Sequence, residues 1–374
     1  MTGGPRWAQK PEAPVSRLPA EPGGRQVHAA AWRAYEAAAA DVGETVWELE
    51  VAGATVSVAV AGTPLTDALL PALECRRRAG VRAGHRVARL RVWDTATSGV
   101  AGPRSPWGVE DFGARDAIRG SGADGVDLAY GLEHHVLSTW DRHLAEGVWW
   151  ARNAGQLPYW EATAPLRYLF HWLLADAGCA LVHAAAVGDG EEGVLLVGRG
   201  GAGKSTAALS CVDAGWRYVA DDYCVLGHEG APRAHSLYGV GKLSPDSSRS
   251  LPGLDDAVTG TRPGDEKVVY GIARARPALM AESLALRAVA VPRLTILGGP
   301  PRRIAPATAA RALAPSTLFQ LPSDRPGTLA TMARTLRMLP VFDVPLGPDR
   351  SEAPRALAEV LRLVREASRS TTSP

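Results

Sequence analysis

Apolar and polar residues change their spacing several times along this chain, and each change marks an element. Val46–Glu50 and Ala54–Val60 alternate around Ala52-Gly53, the two-residue period of strands joined by a tight turn, which predicts a β-hairpin. A short helix is expected over Leu65–Arg77 and a further strand over Val87–Trp93, whereas residues 94–125, rich in Gly, Ser, Pro and Asp, read as a long loop. Between residues 161 and 177 the apolar positions are Leu166, Leu169, Phe170, Leu173 and Leu174, the stripe of an amphipathic helix. Strand-like runs follow at Ala180–Val187 and Val194–Val197 around the turn Gly188–Gly193. A helix over Thr206–Ala214, closed by Gly215, then leads to a strand at Trp216–Ala220 that stops at Asp221-Asp222. Short strands are expected at Tyr223–Leu226, Val268–Ile272 and Leu294–Leu297, and helices at Thr328–Leu339, between Pro326 and Pro340, and at Ala353–Arg365.

Strands alternating with helices define an α/β class for the second half of the chain. With 374 residues there is room for two domains. The expected division is a loose leader over 1–26, rich in Pro, Gly, Arg and Glu, a smaller α+β N-terminal domain over 27–150, an α/β nucleotide-binding domain over 151–366 and a loose tail over 367–374.

Composition adds mainly exclusions. A formal charge of +2 supplies no field that would argue for nucleic acid or a membrane surface as partner, and no apolar run approaches membrane-spanning length. The cysteines Cys75, Cys179, Cys211 and Cys224 stand far apart without metal-ligand spacing, which fits a reducing cytoplasm better than a disulfide framework. One count is informative: of 41 basic residues only four are lysines, Lys10, Lys204, Lys242 and Lys267, so a lysine at a motif position is not a chance of composition.

Lys204 occupies such a position. Residues 198–205, Gly-Arg-Gly-Gly-Ala-Gly-Lys-Ser, match the P-loop pattern G-x-x-x-x-G-K-[ST], with an apolar strand before it and a helix after it. The physical logic is a backbone that curls so that successive N–H groups face phosphate oxygens, with the positive end of the following helix adding to the field. Gly198, Gly200, Gly201, Ala202 and Gly203 form the cradle, Lys204 is expected along the β and γ phosphates, and the Ser205 hydroxyl on magnesium, with Thr206 following. An ordinary Gly-rich turn is the competing reading. Asp221 and Asp222 end the next strand, where side chains of α/β sheets line the ligand crevice. Adjacent strand residues face opposite ways, so one carboxylate is expected at the γ-phosphate and the other at a loop or the metal shell; a pair of solvated turn aspartates is the alternative.

The blocks Val-Gly-Arg-Gly-Gly-Ala-Gly-Lys-Ser-Thr and Asp-Ala-Gly-Trp-Arg-Tyr-Val-Ala-Asp-Asp resemble the catalytic domain of HPr kinase/phosphorylase, whose fold is shared with ATP-dependent phosphoenolpyruvate carboxykinase. The resemblance covers residues 180–226 best. It implies that Asp221 is the base that deprotonates the substrate serine and that His183, in Leu-Val-His-Ala-Ala-Ala-Val, belongs to the site; by itself His183 reads as a core histidine. Where that family carries a magnesium-binding glutamate before an Arg-Gly-Leu-Gly-like turn, this chain has Ser236-Leu-Tyr-Gly-Val-Gly-Lys242, so Asp222 becomes the substitute metal candidate and Lys267 a candidate phosphate contact. Leu90-Arg-Val-Trp-Asp94, Leu157-Pro-Tyr-Trp160 and Leu313-Ala-Pro-Ser-Thr-Leu-Phe-Gln320 extend the likeness to HPr-kinase-related precursor-peptide serine kinases of the lasso-peptide type.

The resemblance therefore implies an ATP- and Mg2+-dependent kinase acting on a hydroxyl, a serine of a peptide or protein, with homo-oligomerisation left open because HPr kinases assemble as oligomers. A small-metabolite kinase and a non-catalytic, ATP-responsive peptide-binding protein are the two alternatives.

Overall fold

The computed structural model describes residues 23–78, 87–103, 107–113, 116–260, 266–322 and 326–372. The chain folds into two compact units. The first takes the chain up to Val46, Val58–Ala68 and Arg89–Leu157; the second takes Trp47–Ser57, Leu69–Ala88 and the chain from Pro158 onward. The elements up to residue 151 are α1 (Gly24–Val42), β1 (Glu44–Val51), β2 (Ala54–Ala61), α2 (Thr63–Leu73), β3 (Arg77–Arg78), β4 (Val87–Asp94), α3 (Thr95–Ser98), β5 (Val126–Gly131), β6 (Val136–Asp141) and β7 (Glu146–Ala151).

In the first unit β4 runs parallel to β7, and β7, β6 and β5 follow as an antiparallel meander. Helix α1 buries Val27, Ala31, Tyr35 and Ala38, one face at helical spacing, in a core with Trp93, Leu128, Leu137, Val148 and Trp150. The alternating run expected as a hairpin forms β1 and β2, with Ala52 and Gly53 both at positive φ in the turn. Residues 24–26, assigned to the leader, belong to α1; residues 1–22 lie outside the described residues.

The second unit continues with α4 (Tyr159–Thr163), α5 (Arg167–Asp176), β8 (Ala180–Val182), β9 (Ala185–Asp189), β10 (Glu192–Leu196), α6 (Lys204–Asp213), β11 (Arg217–Ala220), β12 (Cys224–Glu229), β13 (Ala231–His235) and β14 (Gly241–Leu243). Beyond these come α7 (Pro245–Ser248), β15 (Val258–Gly260), β16 (Val268–Tyr270), α8 (Ile272–Ala275), β17 (Ser283–Leu294) and β18 (Arg302–Ile304). Helices α9 (Pro306–Leu318) and α10 (Pro326–Met338), strand β19 (Val341–Leu346) and helix α11 (Glu352–Thr372) complete it, so that 367–372, read as a tail, are helical.

A mixed nine-stranded sheet in the order β11-β9-β10-β17-β13-β12-β8, with β19 beside β17 and β18 beside β19, forms the middle layer. Its pairs β10–β17 and β17–β19 are parallel. The apolar run of β10 shows why both faces are covered. Val194 and Leu196 join Ala207, Ala208 and Cys211 of α6 and Leu357 and Val360 of α11, whereas Leu195 and Val197 join Leu313 of α9 and Met332 and Leu336 of α10. A separate small sheet has the order β14-β16-β15.

Three sequence expectations change in the fold. The helix expected over 161–177 is two helices, because Pro165 pushes Ala164 out of the helical region and Leu166 takes φ +57°. The strand expected over Ala180–Val187 breaks at His183-Ala184, where the Ala184 N–H donates to the Val182 carbonyl; β8 pairs with β12 and β9 with β10 and β11. The strand expected at Leu294–Leu297 does not form: Leu294 is the last residue of β17. Its partner β19 stops at Leu346, before Gly347, so the ladder runs out and Ile296 and Leu297 stand exposed.

Candidate functional site

The loop between β10 and α6 is shaped by two glycines for different reasons. Gly203 caps the helix at φ +92°, a conformation only glycine adopts without strain, while a Cβ on Gly198 would lie 2.8 Å from the Ala202 Cβ. No side chain caps α6, so its first N–H groups are left for another partner. Lys204 is the first helical residue. Its buried Nζ folds back to donate to the Gly198 carbonyl at 2.8 Å and towards that of Arg199 at 3.4 Å. Burial lowers the lysine's pKa, and Asp222 and Asp221 partly restore it. Gly200, Gly201 and Arg199 line the exposed rim, and Ser205 and Thr206 continue the helix. Ser205 Oγ donates to the main-chain carbonyl of Asp221 at 3.3 Å, which ties the loop to the end of β11.

Asp221 and Asp222 follow β11 and have opposite environments. Asp221 is buried: its Oδ2 accepts the Lys242 main-chain N–H at 3.1 Å, and its Oδ1 lies 2.9 Å from the Tyr218 hydroxyl. That hydroxyl is also 2.9 Å from the Val240 carbonyl, so one hydrogen faces two acceptors. A proton on Asp221 resolves the shortage, since Asp221 then donates to Tyr218 and Tyr218 to Val240. The energetics agree: burial and the neighbouring Asp222 charge push the Asp221 carboxyl up to about 6, against Lys242 and Tyr218.

Asp222 goes the other way. Burial disfavours its charge, but the Lys242 ammonium, 2.8 Å from Oδ2, and His183, whose Nε2 lies 2.9 Å from Oδ1, hold the carboxyl well below its usual range. Two adjacent carboxylates thus have pKa values driven apart, the arrangement that separates a proton-accepting group from a permanently charged one.

Lys242 is the residue that sequence reasoning missed. It lies in β14, within the segment read as a departure from the family pattern, and reaches Asp222 and the Thr163 hydroxyl, the latter at 3.4 Å, with its charge 5.7 Å from the Tyr159 ring centroid. Burial opposes its charge and Asp222 more than compensates, so its pKa is raised. A signal was available: the lysine scarcity that singles out Lys204 applies equally to Lys242. Together with Thr163, Ala220, Tyr223, Tyr238 and Val240, the two aspartates and Lys242 line a small pocket.

His183, at the break between β8 and β9, is buried against Tyr223, ring centroids 5.5 Å apart. Its Nδ1 is hydrogen-bonded to the Ser316 hydroxyl and lies 3.3 Å from Gln320 Nε2, and its main-chain N–H donates to Thr317 Oγ1 at 3.1 Å. The segment Leu313–Gln320 therefore comes onto His183. Lys267 stands half-buried just before β16 in the small sheet, and no hydrogen bond or ion pair places it on Asp221, Asp222 or Lys204 among the described residues.

A magnesium reading fits these donors in part. Ser205 presents a hydroxyl at the helix start with only a long bond to hold it, which suits a metal carried in by phosphates. Each oxygen of Asp222, by contrast, already faces the His183 ring or the Lys242 ammonium. Among the described residues no group of three or more His, Cys, Asp or Glu side chains could hold a metal without other ligands.

No family model matches the chain, and no curated protein matches it. Among solved structures, that of the Hpr(Ser) kinase/phosphatase from Coxiella burnetii is similar at 14% identity and a TM-score of 0.29, over 50% of this chain and 98% of that one. Among the described residues no helix is long and apolar enough to cross a membrane.

Proposed function

We propose that residues 198–206 hold the phosphates of ATP and that the site transfers the γ-phosphoryl group to a hydroxyl, a serine of a peptide or protein. The observation that carries this reading is the convergence of Ser205, Asp221 and Lys242, with direct hydrogen bonds from Ser205 to the Asp221 carbonyl and from Lys242 to its carboxylate, and with Lys204 near enough for Asp222 and Asp221 to favour its charge. A cradle that only held nucleotide has no use for a buried carboxyl poised near neutrality beside it. The resemblance of residues 180–226 to HPr kinases points the same way.

In this reading Asp221 accepts the acceptor hydroxyl's proton as the oxygen attacks the γ-phosphorus and the bond to ADP breaks. Lys204 turns from the Gly198 carbonyl to the phosphates, exchanging one oxygen acceptor for a charged one. Lys242, anchored on Asp222, supplies a second cation facing the acceptor pocket. Ser205 would hold Mg2+, which would neutralise charge on the phosphates when bound; Asp222, with both oxygens engaged, serves the site by organising Lys242 and His183.

The test is incubation of wild type and Asp221→Asn with Mg·ATP and serine peptides, read by mass spectrometry for a phosphate mass and by calorimetry for ATP binding. Binding kept and transfer lost is the expected result. Equal phosphorylation by both proteins would sink the role of Asp221.

A further inference from the structure

The environment of His183 holds a chain of hydrogen bonds that runs from the Tyr223 hydroxyl through Gln320 and the ring to Asp222. Tyr223, next to Asp222 in sequence, is buried, and its phenol has a proton to donate. Its hydroxyl lies 2.7 Å from Gln320 Oε1 and donates to it. With its amide oxygen towards Tyr223, Gln320 presents Nε2 to His183, 3.3 Å from Nδ1, where an N–H can only donate. Nδ1 is then an acceptor, a role the Ser316 hydroxyl also satisfies by donating to it. The ring proton is left on Nε2, pointing at Asp222 Oδ1 at 2.9 Å. Thr317, fully buried, holds the His183 main chain by accepting its N–H.

We propose that Ser316 and Gln320 are positioning residues of the site: they hold His183 in the Nε2–H tautomer so that it donates to Asp222, which in turn carries Lys242. The role of these two residues in turnover rests on the phosphotransfer reading, whereas the tautomer does not. Among the described residues neither has a hydrogen bond or ion pair to the P-loop or Asp221. They act through His183, and α9 with its C-terminal segment thereby becomes part of the site although it lies more than a hundred residues beyond the P-loop in sequence.

Nitrogen-15 NMR of histidine-labelled full-length protein reads the tautomer directly, with His183→Gln identifying the resonance among nine histidines. Wild type is expected to show Nε2–H. Gln320→Glu replaces the donor by a carboxylate that only accepts, and is expected to move the ring to Nδ1–H or to the doubly protonated form. ADP release from Mg·ATP, with water as acceptor, is expected to fall about tenfold in kcat with KM for ATP within twofold; Ser316→Thr, which keeps the hydroxyl, is expected to retain both tautomer and rate. Should Gln320→Glu fail to fold, Tyr223→Phe frees the amide to turn and is expected to give a mixture of tautomers. An Nδ1–H ring in wild type, or an unchanged ring in both variants, overturns the proposal, as does a switched tautomer at unchanged kcat. If wild type releases no ADP and also phosphorylates none of the serine peptides, the phosphotransfer reading fails and the tautomer still decides the role of Ser316 and Gln320 in holding His183.

Discussion

At the scale of single residues, the Asp pair carries the sharpest expectations because its two members titrate in opposite directions. Asp221 has its pKa raised in the fold, so what it contributes to stability is present below its unfolded value and is lost as pH rises through about 6. Asn fits the same place: its oxygen accepts the Lys242 N–H and its amide donates to Tyr218, which donates to Val240. Asp221→Asn is therefore expected to stabilise the protein by on the order of 1–3 kcal/mol at pH 8 and to give no gain at pH 4, measured by urea unfolding, while lowering phosphoryl transfer at least a hundredfold. In wild type, transfer should rise with pH up to about 6 and then level, as Asp221 loses its proton. Lys242 shows the reverse economy. Lys242→Met leaves the half-buried Asp222 with its charge met by His183, and a loss of about 1–3 kcal/mol is expected, partly recovered by adding Asp222→Asn. Recovery absent in that double variant would mean the ion pair is not what Lys242 contributes. Lys204, Ser205 and the Asp pair were legible in the sequence because their spacing is local. Lys242, Ser316 and Gln320 were not, since periodicity reports which face a residue is on and never which distant strand or helix meets it.

At the scale of elements, two of the places where the sequence pattern misled are places where the chain breaks for the site. The run Ala180–Val187 reads as one strand because every residue but His183 is apolar and buried, yet it serves two different neighbours, and the change of partner puts His183 beside Asp222. The break between α4 and α5 is similar: Glu161 and Arg167 bridge it at 2.7 Å and Tyr238 donates to the Pro165 carbonyl at 3.0 Å, tying it to the segment that leads to Lys242. The loop-to-helix junction offers a controlled comparison. Gly203 has φ +92° and an added Cβ would sit 3.0 Å from Leu294 Cδ2, whereas Gly200 lacks positive φ and a Cβ there meets nothing within 4 Å. Gly203→Ala is expected to cost about 1–2 kcal/mol and Gly200→Ala less than about 0.5 kcal/mol in unfolding measurements. Equal costs would show that the helix start does not depend on the left-handed conformation.

At the scale of the whole molecule, the side chains in question come from α4, the β8–β9 break, α6, the end of β11, β14 and α9, a set that spans residues 163 to 320 of the second unit. None of these segments can hold its part of the site unless the middle sheet and the helices on both of its faces are in place, because β10 and the loop after it are held between them. A ligand gripped by such a constellation binds only the folded unit, so its binding free energy adds to stability. At a hundredfold excess over its dissociation constant, Mg·ATP is expected to add about 2.7 kcal/mol, which for a unit of this size raises the melting temperature by roughly 5–10 °C. Because the cradle acts on phosphates, adenosine at the same concentration should give no comparable rise. Lys204→Ala should abolish most of the ATP effect without lowering the melting temperature of the protein alone, since among the described residues the buried ammonium it removes bonds to the carbonyls of Gly198 and Arg199 and is already disfavoured by burial. A shift that persists in Lys204→Ala, or that adenosine reproduces, would place the grip on the base and remove the phosphate cradle from the centre of the function.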